Sequence, residues 1–192
     1  NKTSAKIISS AANPLFTIPL FVIIVMFAFE DFKKAAFISA IIVGVIFIPL
    51  ILIMYVKSKN KSFTNFDVSD RVQRKSLFLI ALPLVIIATI ILYKTGQSKT
   101  LYLSVFFGFV IAFVSQIVNL FIKSSLHVSL NIYLSFLIMP TNLILGGILL
   151  LLTVLIGWSR ISLGRHTLKE VLVGAGIGLS ISLIMFFIQR TI

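Results

Sequence analysis

What most limits the folds open to this chain is a succession of long apolar runs with no charge inside them, at roughly 14–29, 35–56, 76–93, 101–122, 126–141, 143–158 and 168–189. A helix needs about 20 mostly apolar residues to cross the hydrocarbon core of a bilayer, and runs of this length and purity are read as such helices. In 192 residues these runs and their connections use nearly everything, so no separate soluble domain fits. A chain that is 59% hydrophobic and only 11% charged also lies far outside the composition of soluble domains. The expectation is an all-α, polytopic transmembrane helical bundle of six to seven spans, forming a single integral membrane domain over 1–192. The opening "NKTSAKIISSAANPLFTIPLFVIIVMFAFEDF" has the basic start and apolar middle of a signal peptide. No small-residue cleavage site follows, so a retained span is expected.

The formal charge of +12 is concentrated outside the runs. In a membrane protein such an excess meets anionic lipid and obeys the positive-inside bias, so no nucleic-acid partner is expected. The one long polar segment, Lys57–Lys75, carries six Lys/Arg against Asp67 and Asp70 and reads as a loop for anionic lipids. The absence of cysteine excludes disulfides and thiolate metal sites. Pro140 and Asn142 mark a tight turn between the fifth and sixth runs, and Trp158 suits an interface anchor.

Ionisable residues inside or bordering spans point to function, and here they gather late in the chain. The two histidines are His127 and His166. With one span leaving and the next returning between them, both emerge on the same side of the membrane. Gln116, Asn119, Lys123 and His127 recur at steps of three and four, one face of a continuous helix, and Asn131 continues it. For Gln116 and Asn131 the expected role is interhelical bonding. Glu170 follows His166 by four residues and is the only acid after Asp70. On a helix its carboxylate lies one turn from the imidazole and can accept its N–H, which fixes the tautomer and makes the other nitrogen the better nucleophile. Arg165 and Lys169 read as span-flanking residues. Arg160 carries a planar guanidinium suited to phosphate oxygens. Gly174 and Gly178, four apart, are expected to let helices approach closely.

"SR", five residues, "H", three residues and an acid, here Ser159-Arg160, His166 and Glu170, resembles the third signature of the type 2 phosphatidic acid phosphatase superfamily. "SSLH", Ser124–His127, resembles that family's second signature, Pro-Ser-Gly-His. The likeness covers about the last hundred residues. It implies a four-helix phosphatase core over 96–192, preceded by N-terminal spans over 1–95. It also implies hydrolysis of a lipid phosphate or isoprenoid diphosphate through a phosphohistidine, with no metal and no cofactor. Carried over, His166 is the nucleophile, Glu170 its orienting acid and His127 the general acid, while Arg160, Ser125 and the backbone at Leu126 hold phosphoryl oxygens. Glu170 stands where aspartate is usual, Leu126 for glycine and Ser124 for proline. The first signature, Lys, six residues, Arg-Pro, is missing. Its cations are replaced by Lys123 or, second, by Arg71, Arg74 and Lys75.

Under a seven-span arrangement the Lys/Arg excess falls on the histidine side, which places the site at the cytoplasmic face of a multi-pass protein, of bacterial inner-membrane type. The substrate is then a membrane lipid, its headgroup at a span end and its tail in the bilayer. The sequence leaves the individual lipid and the oligomeric state open. The competing reading is a catalytically inactive relative that binds lipid or serves as a scaffold. A small transporter ranks last, since its ionisable residues belong near span midplanes.

Overall fold

A computed structural model describes residues 2–63 and 70–190, with the side chains of Arg71, Val72 and Arg190 excepted. The described residues are helical and turn, in the order α1 (Lys2–Ala11), α2 (Pro14–Phe29), α3 (Phe32–Ile41), a π-helical stretch (Ile42–Phe47), α4 (Ile48–Lys59), α5 (Arg71–Lys94), α6 (Lys99–Val118), α7 (Leu126–Ile138), α8 (Leu143–Ser162) and α9 (Leu168–Arg190). Among the described residues five helices are long and apolar enough to cross a membrane: the continuous Phe32–Lys59 rod and the helices within 73–94, 99–118, 143–162 and 168–189. These are compatible with an integral membrane protein. A sixth arises if α1 and α2 form one broken span. The 13 residues of α7 rise about 20 Å at 1.5 Å each, less than the ~30 Å of hydrocarbon.

The chain divides into two compact units, Asn1–Pro14 with Val110–Ile192, and Leu15–Phe109. The sequence-based partition near residue 95 differs from this at both ends, because α1 groups with the C-terminal helices and the boundary falls inside α6.

In the Leu15–Phe109 unit, Ile38, Ile41, Ile42, Ile46, Phe47 and Leu50 pack with Ala88 and Leu92 of α5. Asp31 caps α3 by accepting from the Lys33 and Lys34 amides at 3.1 and 3.2 Å. The π-helical stretch has a cause in Pro49: proline donates no N–H and its ring collides with the carbonyl four residues back. The helix widens there, and the Ile48 amide reaches back five residues to the Val43 carbonyl. The basic segment is shorter as a loop than its sequence suggests. Lys57 and Lys59 end α4, while Arg71, Arg74 and Lys75 begin α5. Lys57 Nζ donates to Ser76 Oγ at 2.9 Å and sits 5.1 Å from the centre of the buried Phe63 ring. Asp67, with the rest of 64–69, lies outside the described residues.

In the other unit α7 packs against both α8 and α9, and α1 against α8. The register follows from the glycines. A Cβ on Gly174 would meet the Ser125 backbone at 2.6 Å and one on Gly178 the Ser129 backbone at 2.7 Å, so α7 and α9 run parallel at close approach. Gly157 faces Val128 and Val171, and Gly146 faces Ser135 and Met139, so α8 returns antiparallel to both. The expected turn is there: Asn142 caps α8 by accepting from the Leu145 amide at 2.9 Å. One end of this unit therefore gathers the N-termini of α7 and α9 and the C-terminus of α8.

Candidate functional site at three helix ends

The residues singled out by sequence lie at this end. The helix α8 closes with Arg160 in its last turn, Leu163 as C-cap and Gly164 at φ 65°. The Gly164 amide donates to the Ile161 carbonyl at 2.9 Å and the Arg165 amide to the Arg160 carbonyl at 3.0 Å. This pair of bonds is a Schellman motif, for which glycine supplies the left-handed residue without steric cost. The His166 amide also donates to the Arg160 carbonyl, at 3.3 Å. The turn thus fixes His166 directly after the helix that carries Arg160.

Thr167 then caps the start of α9. The Glu170 amide donates to Thr167 Oγ1 at 3.3 Å and the Thr167 amide to Glu170 Oε2 at 3.2 Å. This is the reciprocal capping box of a Thr-x-x-Glu sequence. The sequence reading treated Glu170 only as a partner for histidine and missed this role, although "TLKE" before an apolar run carries the signal. Both roles fall on one oxygen, because His166 Nδ1 also lies 2.9 Å from Glu170 Oε2. A carboxylate at Nδ1 selects the tautomer protonated there and leaves the lone pair on Nε2. The His166 side chain is 1% exposed and that of Glu170 18%.

Ser125 and Leu126 join the same cluster from α7. The Ser125 amide donates to the Glu170 carbonyl at 3.2 Å, so it is spent on the fold. Ser125 is the N-cap of α7, yet its side chain makes no cap bond, and its buried Oγ meets no hydrogen-bond partner among the described residues. Leu126 and His127 are the first residues of the helix, where amides have no intrahelical acceptor and the dipole is positive. His127 is buried, two residues along from Ser125.

Lys123 requires a correction. The expected face Gln116, Asn119, Lys123, His127 needs a continuous helix, and α6 ends at Val118 while α7 starts at Leu126. Between them Asn119 lies in a turn and Lys123 in the non-helical connection. Lys123 reaches the cluster by another route: its Nζ donates to the Arg165 carbonyl at 2.8 Å and lies 3.8 Å from Glu170 Oε2. Asn131 does bond between elements, donating to the Ala12 carbonyl at 3.2 Å and to the His127 carbonyl at 2.7 Å. Arg71, Arg74 and Lys75, the alternative cations, begin α5 in the other unit.

Arg160 is 1% exposed, the largest of the fully buried side chains among the described residues, and its Nη1 donates to Ser9 Oγ of α1 at 2.6 Å. Nothing in the sequence pointed to Ser9. Among the described residues no group of three or more His, Cys, Asp or Glu side chains comes together as a metal site. Comparison with protein-family models, with curated proteins and with solved structures returns no match.

Proposed function

We propose that the protein is a membrane-embedded phosphatase that hydrolyses a lipid phosphate or isoprenoid diphosphate through a phosphohistidine, as a divergent member of the type 2 phosphatidic acid phosphatase superfamily. The observation that carries this reading is the His166 Nδ1–Glu170 Oε2 bond of 2.9 Å, placed where the N-termini of α7 and α9 meet. That pairing orients an imidazole as a nucleophile, and helix N-termini favour anions. The buried Ser125 Oγ, unused as a cap, adds a donor at that place.

In the proposed reaction His166 Nε2 attacks phosphorus and the ester or anhydride bond breaks. His127 protonates the departing oxygen, and Glu170 stabilises the charge that His166 gains. Water then attacks the phosphohistidine, giving up a proton to His127 and releasing phosphate. Arg160, Lys123, Ser125 Oγ and the Leu126 amide stabilise the charge on the transferring group. A lipid substrate suits a site at helix ends beneath apolar outer faces, and the basic Lys57–Lys75 segment suits anionic headgroups.

The test is phosphate release by detergent-purified protein on phosphatidic acid, phosphatidylglycerol phosphate and farnesyl and undecaprenyl diphosphates, with and without EDTA. The expected result is release that persists in EDTA and disappears in His166→Ala. Folded protein that releases nothing from any of them overturns the reading and favours a non-enzymatic lipid-binding relative.

A further inference from the structure

The mechanism above makes no use of α1, yet α1 reaches the site. Its buried face presents Ala5 and Ser9, one helical turn apart, and it packs on α8. Two side-chain bonds tie it down across more than a hundred residues of sequence: Arg160 Nη1 to Ser9 Oγ at 2.6 Å, and Asn131 Nδ2 to the Ala12 carbonyl at 3.2 Å. The first starts from the guanidinium assigned to phosphate and ends on Ser9 Oγ. The second starts from a residue that also bonds the carbonyl of His127.

A buried guanidinium with a displaced donor is costly, and its usefulness to a phosphate depends on the plane of the fork being held in advance. A serine hydroxyl is a neutral acceptor. It fixes one terminal nitrogen without cancelling the positive charge, as a carboxylate in its place would. Resting on the phosphatase reading, we propose that Ser9 is a positioning residue for that reaction, holding the Arg160 guanidinium in the orientation that receives the phosphoryl group, and that α1 is therefore a working part of the site. This gives the N-terminal segment a task that neither signature describes.

The experiment compares wild type, Ser9→Ala and Ser9→Thr in the full chain, with phosphate release kinetics, inhibition by inorganic vanadate, and thermal unfolding in detergent. Loss of one hydrogen bond to a charged group corresponds to roughly ten- to hundredfold in rate. Ser9→Ala is expected to lose that much in kcat/KM and to bind vanadate correspondingly more weakly. Ser9→Thr, which keeps the hydroxyl, is expected to recover most of both. A purely structural role predicts instead that the two variants follow their melting temperatures and not the hydroxyl. Wild-type kinetics in Ser9→Ala overturn the proposal while leaving the phosphatase reading intact. Faster turnover in Ser9→Ala also overturns it, because Ser9 then competes with phosphate. Wild-type protein that neither releases phosphate nor binds vanadate overturns both.

Discussion

Replacing Gly174 by alanine tests the architecture without reference to any activity. The added Cβ would stand 2.6 Å from the Ser125 carbonyl oxygen and 2.9 Å from its nitrogen. Restoring ordinary contact at 3.4 Å requires 0.8 Å of displacement, and the obstacle is backbone, which no rotamer change can move. The start of α7 and the first turns of α9 must therefore separate. The Ser125–Glu170 main-chain bond, already 3.2 Å long, lies in the path of that movement. Overpacking of this kind costs about 1–3 kcal/mol, which for a chain of this size lowers the melting temperature by roughly 2–12 °C. Gly176, one position beyond the intervening Ala175, is the internal control: among the described residues nothing beyond its chain neighbours and its own helix backbone lies within 4 Å of its Cβ position. Gly176→Ala is expected to melt at or above wild type, since alanine in a helix is favoured by about 0.5–1 kcal/mol. The assay is thermal unfolding of the two variants and wild type in one detergent. Equal melting of Gly174→Ala and Gly176→Ala would refute the parallel, close α7–α9 register, and with it the meeting of Ser125, Glu170 and His166. If the phosphatase reading holds, the same displacement lowers phosphate release by up to about a hundredfold, the scale of a misplacement near 1 Å.

The two roles of Glu170 separate chemically. Glutamine at this position still completes a capping box, so Glu170→Gln is expected to keep its melting temperature and lose about ten- to hundredfold in phosphate release, while Thr167→Ala loses about 1 kcal/mol of stability and keeps most activity. Parallel loss of both properties in Glu170→Gln would make the acid structural alone. The proposed cytoplasmic site is tested at Lys59, which is exposed at the end of α4 in a chain without cysteine. Lys59→Cys is expected to resist an impermeant thiol reagent in intact cells and to react after lysis, and labelling in intact cells contradicts the assignment.

The parts of this fold that rest on hydrophobic length were legible in the sequence. The run at 14–29 became α2 over Pro14–Phe29, and the turn at Pro140–Asn142 became the α7–α8 connection. The Gly174 and Gly178 spacing marked a close helix pair for a local reason, the absence of Cβ. What the sequence concealed depends on partners distant along the chain or on breaks masked by apolar residues. Phe121 and Ile122 carry the hydrophobic signal into the 119–125 connection, so the stripe from Gln116 to His127 reads as one helical face although α6 ends at Val118. The π-helical stretch is likewise all apolar, and only Pro49 hints at it. Ser9 is one small residue in "KIISSAAN", and its worth comes from Arg160, 151 positions away. Of the site residues, His166 and Glu170 were legible as a pair because their contact is four residues long, whereas the Lys123 contact spans 42 residues and was assigned to the wrong geometry.

The departure of Glu170 from the aspartate of the resembled signature has a physical reason in the start of α9. A capping box needs a side chain at the third helical position long enough to return to the N-cap amide, and glutamate or glutamine meets that need. Here the same Oε2 accepts from the Thr167 amide and faces His166 Nδ1, with Lys123 Nζ 3.8 Å away. One oxygen at the beginning of a helix thus sets the helix boundary and the histidine tautomer, while Lys123 is held beside it by the Arg165 carbonyl. The acid also gains from its place at the positive end of α9, as Arg160 does from the negative end of α8. A carboxylate held this way is fixed by secondary structure and not by a loop, so the orientation of His166 is as rigid as the first turn of α9. The same economy makes the cluster sensitive: unwinding of that turn would part the imidazole from its acid, while Lys123 would keep its bond to the Arg165 carbonyl.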